Sequence, residues 1–385
     1  MKIAFIRKTY TPYGGAENYL SQLIDRLGKT GHEIHIFART WEKEAEKKRD
    51  HPGTPSFHRV PAIGSPSFLE ALSFAFHCRN LLQREDFDII HSFERTFYQD
   101  IYRAGDGCHR EWLIQRRRMD SGLKRLSHRV NPLHLSLLYL EKRLFHSPRL
   151  KKIVANSRRG KEEIIRHYRV PEGKIEVMYN GVDLKKFHPD NISLYREPTR
   201  KELGIKPESF VLLFVGSGFR RKGLDVLLRA LAMIKKEAPE TFLLVAGKDS
   251  ISGYRKRAEI LRVGEKVLFL GPTAKAKELY AASDLFVLPT LYDPFSNASL
   301  EAMATGIPVL TTRGNGVAEL IKEGGNGFVI EDPLDAQGIA AAVLSFFRSS
   351  EKRFIGERAR EACANLDMET VVKRMIGIYE ECAKK

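Results

Sequence analysis

Two acidic residues lie eight positions apart in the segment that follows the apolar run Leu285–Leu288. Asp293 precedes a Pro-Phe-Ser-Asn turn, and Glu301 comes eight residues later in a stretch with helical spacing. Because Ser296 or Asn297 can cap that helix, we expect Glu301 about one turn inside it, on the face that carries Asn297. Carboxylates on either side of a helix start suit a polyol: one would bind sugar hydroxyls and the other ribose hydroxyls, with backbone N–H groups directed at a phosphate between them. The alternative is an acidic capping turn without a ligand.

Two glycine-rich turns each follow a strand-like apolar run and precede a helix. The first contains Gly14-Gly15, and the second, Gly216–Gly223, contains the cations Arg221 and Lys222. Glycines let the backbone approach a ligand closely, while an arginine fork and a lysine point charge can neutralise a diphosphate. The alternatives are a plain tight turn for the first and a solvated basic turn for the second. The second turn follows the first strand of its domain, which favours phosphate binding there.

The composition indicates a folded protein of two domains. The chain has 385 residues, of which 43% are hydrophobic and 29% charged, so wholesale disorder is excluded. No apolar run approaches the ~20 residues needed to span a bilayer, and the N-terminus lacks the apolar stretch of a signal peptide. The four cysteines lie far apart without a C-x-x-C pair, which disfavours a zinc site or a disulfide framework. We therefore expect a cytoplasmic protein.

The excess of basic residues is concentrated in one region. Lys and Arg total 64 against 48 Asp and Glu, a net charge of +16, and Arg103–Lys161 holds 16 basic and four acidic residues, a net +12. Such a cluster predicts a polyanionic partner, either nucleic acid or an anionic lipid surface. Helical spacing also aligns an apolar stripe of Leu133, Leu137, Leu140 and Leu144, widened by Leu138 and Phe145. A basic amphipathic region can lie on an anionic leaflet. The alternative is that the stripe belongs to the core and the cations form a solvated face.

Short apolar runs alternate with helical stretches along both halves of the chain, which predicts βαβ units and parallel sheets. The fold class is therefore α/β, with two Rossmann-like doubly wound parallel-sheet domains facing across a cleft, where such folds bind ligands. The polar, proline-bearing segment His188–Pro198 is predicted to be a linker. These boundaries give an N-terminal domain of residues 1–187 with the basic region 103–161, a C-terminal domain of residues 188–365, and a helix of residues 366–385 that packs back on the N-terminal domain.

Taken together, these motifs resemble those of the retaining family 4 glycosyltransferases of the GT-B fold. The spacing of Asp293 and Glu301, followed by Ala302-Met303-Ala304 and Gly306-Ile307-Pro308-Val309, is similar to the E-x7-E region of that family. The Gly14–Glu17 and Gly216–Gly223 turns and Asn180-Gly181-Val182-Asp183 match at the expected places, so the resemblance covers essentially the whole chain. The first acid of the family is usually Glu, and Asp293 is a departure with a shorter side chain.

The segment Tyr98–Glu111 resembles one branch of this family, the lipopolysaccharide core glucosyltransferase I enzymes. Members of that branch add a glucose from UDP-glucose to an inner-core heptose. The resemblance therefore implies an N-terminal domain that binds the acceptor and a C-terminal domain that binds the nucleotide-sugar donor.

The resemblance also implies a role for each motif residue. The implied catalytic residues are Asp106, Asp293, Arg221 and Lys222. The implied donor-binding residues are Gly14, Gly15, Lys174, Gly218, Arg221, Lys222, Asp293, Phe295, Ser296, Asn297 and Glu301. The acceptor-side candidates are His109, Arg110 and Glu17, although a lone histidine in a basic loop is more often simply solvated.

The same resemblance implies chemistry, partners and location. With no nucleophile apparent, retention could proceed by front-face attack, in which catalysis consists of positioning and of stabilising the departing diphosphate. No metal and no cofactor are expected, since the one D-x-D segment, Asp86-Phe87-Asp88, precedes a strand rather than following one. The expected partners are a nucleotide-sugar, a lipid-linked oligosaccharide acceptor and an anionic membrane surface, without nucleic acid. The protein is expected to be peripheral on the inner face of the cytoplasmic membrane.

Three rival functions remain open at this point. A different family 4 transferase would use another donor, such as GDP-mannose or a UDP-N-acetylhexosamine, and another glycolipid acceptor. A nucleotide-sugar epimerase on the same fold would need no basic region and no acceptor groove. A nucleic-acid-binding protein would account for the net charge of +16 but not for two glycine-rich turns and the acid pair.

Overall fold

The chain divides into two compact units. The computed structural model describes residues 1–10, 15–42, 55–120, 122 and 130–383, with the backbone alone for residues 15–18. Unit 1 is Met1–Gly181 together with Met368–Lys385, and unit 2 is Val182–Asp367. The division falls after Gly181, where the sequence suggested a boundary after residue 187. Among the described residues, no helix is both long enough and apolar enough to span a bilayer.

Unit 1 is built on a parallel sheet. Its strands are β1 (Lys2–Ile6), β2 (Thr9–Tyr10), β3 (Glu33–Ala38), β4 (Thr40–Trp41), β5 (Ser56–Arg59), β6 (Ile89–Ser92), β7 (Ile101–Arg103), β8 (Lys152–Ala155) and β9 (Ile175–Val177). Seven of them form one sheet in the order β5-β3-β1-β6-β7-β8-β9, while β2 pairs with β4. These pairings are parallel, as the sequence predicted. The helices are Gly15–Lys29, Ser67–Leu82, His109–Arg116, Pro132–Phe145, Arg158–Tyr168 and Met368–Ala383.

The C-terminal helix Met368–Ala383 belongs to the core of unit 1. Its buried side chains recur at spacings of three and four residues and include Val371, Val372, Met375, Ile378 and Tyr379. They form one hydrophobic cluster with side chains of β1, β3 and the helix Gly15–Lys29. The hydroxyl of Tyr379 also lies 2.7 Å from Nδ1 of His91, in the central strand β6. The last helix is therefore packed against the middle of the sheet of unit 1.

The predicted apolar stripe of the basic region is divided between core and surface. Helix Pro132–Phe145 begins at Asn131, whose side chain caps it by accepting from two backbone amides. Leu140, Leu144 and Phe145 are buried, so this part of the stripe belongs to the core. Among the described residues of this region, the large apolar side chains that are exposed are instead Ile114, Val130, Leu135 and Tyr139. The cluster of Leu133–Leu144 is therefore not itself a lipid-facing stripe.

Unit 2 is a second doubly wound parallel sheet. Its strands are β10 (Phe210–Val215), β11 (Thr241–Ala246), β12 (Val267–Gly271), β13 (Leu285–Leu288), β14 (Val309–Thr312) and β15 (Gly327–Ile330), in the order β12-β11-β10-β13-β14-β15. The central strands are continuous apolar runs because helices cover both faces of the sheet. The helices are Asp190–Glu202, Phe219–Lys222, Leu224–Glu237, Ser252–Ile260, Ala276–Ala282, Asn297–Ala304, Ala336–Arg348 and Lys352–Glu361. The strand order reverses between β10 and β13, which opens a crevice at their carboxyl ends.

The predicted linker His188–Pro198 is wrong. These residues lie mostly in the helix Asp190–Glu202, with a proline inside it. Two arginines of the helix, Arg196 and Arg200, bind the carboxylate of Asp284 just before β13, and Nη2 of Arg200 donates to Oδ2 at 2.8 Å. The Arg200 side chain is 2% exposed. The polar composition that suggested a linker therefore includes Arg196, which helps to fasten this helix to the rest of unit 2.

Candidate active site

The turn after β10 is a glycine-dependent structure. Gly218 has a φ of +75° and precedes the short helix Phe219–Lys222, and Gly223 follows it with a φ of +85°. A Cβ on Gly223 would lie 2.1 Å from the carbonyl oxygen of Pro289, which no side chain could accommodate. The amide of Leu291 also donates to the carbonyl of Arg221 at 2.9 Å. The turns after β10 and β13 are therefore joined backbone to backbone.

This junction brings together three of the four predicted catalytic residues, Arg221, Lys222 and Asp293. Nζ of Lys222 donates to Oδ2 of Asp293, and both side chains are buried. Burial lowers the pKa of Lys222, and the Asp293 carboxylate opposes that shift. Nη1 of Arg221 donates to the carbonyl of Tyr292 at 2.7 Å. Two cations thus lie at the carboxyl end of β10, and Asp293 contacts one of them in this structure.

A buried asparagine supports the turn that contains Asp293. Oδ1 of Asn315 accepts from the amides of Ser296 at 3.1 Å and Val317 at 3.2 Å, and its Nδ2 donates to Oγ1 of Thr311 at 3.0 Å. The amide of Asp293 donates to the carbonyl of Gly314 at 2.8 Å, so the loops after β13 and β14 run side by side. Sequence reasoning missed Asn315. The available signal was the sequence Arg313-Gly314-Asn315-Gly316, a turn that directly follows the next strand of the sheet.

The helix after this turn begins as predicted. Oγ of Ser296 accepts from the amide of Ser299 at 3.2 Å and caps the helix Asn297–Ala304. Phe295 is buried beside the cap. Glu301 lies one turn inside the helix, where its Oε2 accepts from the hydroxyl of the fully buried Tyr280 at 2.8 Å.

The environment of Glu301 changes its titration. Burial raises the pKa of Glu301 to about 7, although the hydrogen bond from Tyr280 and the charge of Lys186 act in the opposite direction. The carboxyl group is therefore close to half ionised near neutral pH. Tyr280 was not predicted, because a tyrosine in the preceding helix gives no local sign of contacting residue 301.

In unit 1, the predicted catalytic residue Asp106 and the acceptor-side candidates His109 and Arg110 follow the carboxyl end of β7. Asp106 is exposed in the turn before helix His109–Arg116, and Gly107 in the same turn has a φ of +70°. Arg110 is also exposed. His109 is buried, with Nε2 3.2 Å from Nδ1 of His134, so the expectation of a solvated histidine is wrong. Burial lowers the pKa of His109 to about 3, and the charge of Arg95 adds to the shift.

A buried glutamate fixes the turn that holds Asp106. Glu141 accepts from the amide of His109 at 2.6 Å, from Nε of Arg95 at 2.9 Å and from the hydroxyl of Tyr168 at 2.6 Å. Nη2 of Arg95 in turn donates to the carbonyl of Gly107 at 3.0 Å. A carboxylate at the start of helix His109–Arg116 also complements its dipole. In the sequence, Glu141 is only one of four acids in a basic region, and no local pattern indicates its partners because they are distant along the chain.

The contacts that the structure describes do not bring the remaining predicted residues to the junction in unit 2 or to the turn after β7. Lys174 lies at the amino end of β9, where its Nζ donates to the carbonyl of Leu150 at 3.2 Å. Ligand sites of parallel sheets lie at the carboxyl ends, so this placement argues against a donor contact. Gly15 is the first residue of helix Gly15–Lys29, which also contains Glu17. Gly14 lies outside the described residues.

Comparison with known proteins identifies the class of enzyme. The family described as Glycosyltransferase Family 4 matches residues 13–186, and the family described as Glycosyl transferases group 1 matches residues 195–362. The lipopolysaccharide glucosyltransferase WaaG of Escherichia coli (strain K12) is 25% identical over 380 residues, which are 98% of either chain. The crystal structure of a WaaG described as a glycosyltransferase of lipopolysaccharide biosynthesis superposes with a TM-score of 0.83 over 98% of this chain and 99% of that one, at 25% identity.

Two further relatives show how far the likeness extends. Spore coat protein SA of Bacillus subtilis (strain 168) is 33% identical over 224 residues, 54% of this chain and 59% of that protein. The structure of sucrose-phosphate synthase from Thermosynechococcus elongatus shares the fold, with a TM-score of 0.76 at 21% identity over 99% of this chain and 98% of that one. The predicted fold and family are therefore confirmed, and a glycosyltransferase takes a sugar donor and an acceptor. The chain belongs to the glycosyltransferases of the GT-B fold, with a Family 4 unit followed by a group 1 unit.

Proposed function

We propose that this protein transfers glucose from UDP-glucose to a heptose of the lipopolysaccharide inner core. The observation that carries the proposal is its likeness, along 98% of the chain, to a lipopolysaccharide glucosyltransferase in both sequence and structure. Relatives that match only part of the chain, such as the spore coat protein, give no comparable indication of the acceptor.

The site of unit 2 supports a nucleotide-sugar as the donor. Arg221 and Lys222 provide two cations for the departing diphosphate, and Glu301 provides an acceptor for ribose hydroxyls. Asp293 would keep Lys222 protonated despite its burial and would also lie beside the transferred sugar. The phosphates of the donor would attract the same lysine. When the donor binds, Lys222 would therefore move away from Asp293 or contact both the carboxylate and a phosphate.

The stereochemistry and the independence from metal belong to the same proposal. We infer that the leaving diphosphate and the acceptor hydroxyl occupy one face of the sugar, so that the anomeric configuration is retained by positioning and charge stabilisation. The cations of Arg221 and Lys222 would supply the positive charge that a metal supplies elsewhere, and no cofactor would be required. Proton NMR of the product should show the donor's anomeric configuration, and EDTA should leave the rate unchanged.

The defining experiment uses lipopolysaccharide truncated at its inner-core heptoses as the acceptor. UDP-glucose, UDP-galactose, UDP-N-acetylglucosamine and GDP-mannose would be offered separately, with mass spectrometry of the product. Transfer of a hexose from UDP-glucose at the highest rate supports the proposal. Transfer from another donor alone would establish the rival family 4 activity, and isomerised free donor without transfer would establish an epimerase.

A membrane surface is proposed as a partner on separate grounds. The exposed apolar residues Ile114, Val130, Leu135 and Tyr139 belong to the same basic region as a cavity of about 410 Å³. The cavity is lined by Arg110, Arg117 and Lys142 together with Leu113, Ile114, Leu138 and Tyr168. Cations around an apolar surface suit anionic lipid headgroups, and each contributes about 1 kcal/mol near such a membrane. We infer peripheral binding to the inner face of the cytoplasmic membrane, without a nucleic-acid partner.

Vesicle sedimentation tests this part of the proposal. Binding should rise with the fraction of anionic lipid and fall with added salt. Changing Arg117, Lys142 and Arg143 to Gln should weaken binding strongly while donor affinity stays unchanged. The matched control changes Arg313, Arg348 and Arg353 of unit 2 to Gln, which removes the same charge from exposed positions elsewhere. Equal sedimentation with neutral and anionic vesicles would contradict a lipid-facing region, and equal losses in both variants would show that the region is not specific. Retention of a DNA oligonucleotide by the protein would contradict the absence of a nucleic-acid partner.

A further inference from the structure

The carboxyl end of the sheet of unit 1 carries a series of arginines. Arg7 directly follows β1, Arg39 directly follows β3, Arg95 comes three residues after β6, and Arg103 is the last residue of β7. The sheet order places these four strands side by side, β3-β1-β6-β7. Ligands of parallel α/β sheets bind at this end of the strands. The charges at this end therefore bear on what unit 1 can bind.

Three of the four arginines have a carboxylate partner within unit 1. Arg7 pairs with Glu94, with Nη1 and Oε1 3.2 Å apart, and Arg39 pairs with Glu70. Arg95 pairs with the buried Glu141, with Nε and Oε1 2.9 Å apart. These pairs follow the general rule that charges withdrawn from water are compensated inside the protein.

Arg103 departs from this rule. It is 4% exposed, and among the side chains that the structure describes no carboxylate lies within ion-pair distance of it. Its Nη2 donates to Oδ1 of Asn180 at 2.7 Å, and its guanidinium carbon lies 4.0 Å from the ring centroid of Tyr19. The remaining nitrogen, Nη1, is buried without a hydrogen-bond partner. Stacking on an aromatic ring and one amide oxygen offset only part of the cost of a buried cation.

Polar atoms of Tyr19 and Asn156, both in unit 1, are also buried without a hydrogen bond of ordinary length. The hydroxyl of Tyr19, on the ring that stacks against the guanidinium, faces Arg103 without a hydrogen bond of ordinary length. Asn156 directly follows β8, and its Oδ1 also has no hydrogen-bond partner. Nδ2 of the same side chain donates to the carbonyl of Gly105, two residues beyond Arg103. A native protein rarely leaves such groups unsatisfied, so each of them requires an explanation. Two donors and one acceptor match an oxyanion with a neighbouring hydroxyl.

We propose that Arg103 is a specificity-determining residue, which binds an anionic substituent of the acceptor sugar at the carboxyl end of β7. The oxyanion would accept from Nη1 of Arg103 and from the Tyr19 hydroxyl, while Oδ1 of Asn156 would accept from an adjacent sugar hydroxyl. The ligand supplies the negative charge that Arg7, Arg39 and Arg95 obtain from the protein itself. This inference rests on the proposed function, because it names the chemical class of the acceptor. A phosphate and a carboxylate would satisfy the same geometry.

Matched acceptors test the assignment. Three synthetic heptosides would be compared under UDP-glucose: a neutral one, one with a phosphate next to the acceptor hydroxyl, and one with an attached keto-acid carboxylate. The wild type should prefer one charged heptoside over the neutral one by about 10- to 100-fold in kcat/KM, the range of a charge-assisted hydrogen bond. The preferred heptoside identifies the source of the oxyanion. Arg103→Gln should abolish the preference through a higher KM, and Arg103→Lys should retain part of it.

The control variant is Arg39→Gln, which removes an arginine from the same end of the sheet whose charge already has a partner. It should keep the preference of the wild type. A wild type without preference for either charged heptoside, or an Arg103→Gln variant that loses the same factor on the neutral heptoside, would overturn the inference.

A second measurement separates this inference from the proposed function. If no heptoside accepts glucose, the function fails, and inorganic phosphate then serves as the probe of Arg103. In a Lys222→Met background, which weakens the phosphate site of unit 2, phosphate should raise the unfolding temperature, and adding Arg103→Gln should abolish that rise. No rise in that background, or a rise that persists without Arg103, would overturn the assignment even though the protein is folded.

Discussion

At the carboxyl ends of the two sheets, buried charged side chains differ in whether they have a partner within the protein. In unit 2, the buried cation Lys222 has its counterion in Asp293, and the carboxyl of Glu301 has its donor in Tyr280. In unit 1, Arg95 is paired with Glu141 in the same way, but Arg103 is buried without a carboxylate among the described side chains. Paired charges form a site that is organised before its ligand arrives, whereas an unpaired charge indicates a ligand that completes the site. The predictions below test this contrast.

The largest expected effect concerns the stability of unit 1. Glu141→Gln leaves the guanidinium of Arg95 buried without a counterion, so we expect the free energy of unfolding to fall by about 3 kcal/mol. Chemical denaturation measures it. The control is Glu172→Gln, which breaks the pair between Lys161 and the exposed Glu172 in the same unit and should cost far less. If Arg103→Gln, which removes a charge that has no counterion, were as destabilising as Glu141→Gln, the contrast between paired and unpaired arginines would be lost.

The next effect concerns catalysis in unit 2. Lys222→Met should lower kcat by at least about 100-fold, because it removes the cation that the proposed function assigns to the departing diphosphate. It should also lower the unfolding temperature, because Asp293 is left buried and unpaired. Adding Asp293→Asn should restore the unfolding temperature but not the rate. As a control, Lys235→Met breaks the ion pair with Glu265 elsewhere in unit 2 and should leave kcat unchanged. Near wild-type turnover in Lys222→Met would mean that the diphosphate is held by other residues.

A smaller effect is the dependence of donor affinity on pH. Because the pKa of Glu301 is raised to about 7, its carboxylate is lost as the pH falls through 7. If ribose binding needs the carboxylate, donor affinity should be about tenfold weaker at pH 6 than at pH 8, in proportion to the ionised fraction. Titration calorimetry with UDP measures it. Glu301→Gln should bind UDP more weakly at pH 8 and with little dependence on pH, so a pH dependence identical to that of the wild type would rule out Glu301 as its source.

The smallest effect tests the partner of that carboxyl group. Tyr280→Phe removes a hydrogen bond that favours the ionised form of Glu301, so the midpoint of the pH dependence should move to higher pH. UDP affinity at pH 8.5 should approach that of the wild type, since the carboxylate is then formed in both proteins. A loss of affinity that is the same at every pH would indicate that Tyr280 acts through packing alone.

The sequence predicted what depends on neighbouring residues. The capped helix after Asp293, the glycine turn after β10 and the parallel sheets follow from local spacing, and the cap at Ser296 is observed as predicted. Contacts between residues that are distant along the chain could not be predicted from local spacing. Tyr280 donates to Glu301, 21 residues away, and Arg95 donates to Glu141, 46 residues away. The same cause explains the wrong linker. His188–Pro198 is polar and contains a proline, yet the pairing of Arg196 and Arg200 with Asp284 stabilises a helix there.

The close contact of Gly223 with the carbonyl of Pro289 ties together the two loops of unit 2 that the proposed function assigns to the donor. The loop that contains Asp293 and the turn that contains Lys222 share backbone contacts, so neither can be altered in length or path without displacing the other. An exchange of residues 289–297 with those of a transferase that uses a different donor would separate a lysine from its carboxylate. If unit 2 binds the donor as proposed, the smallest transferable segment is the pair of loops, residues 216–223 together with residues 289–297, and donor specificity would be inherited as two segments at once.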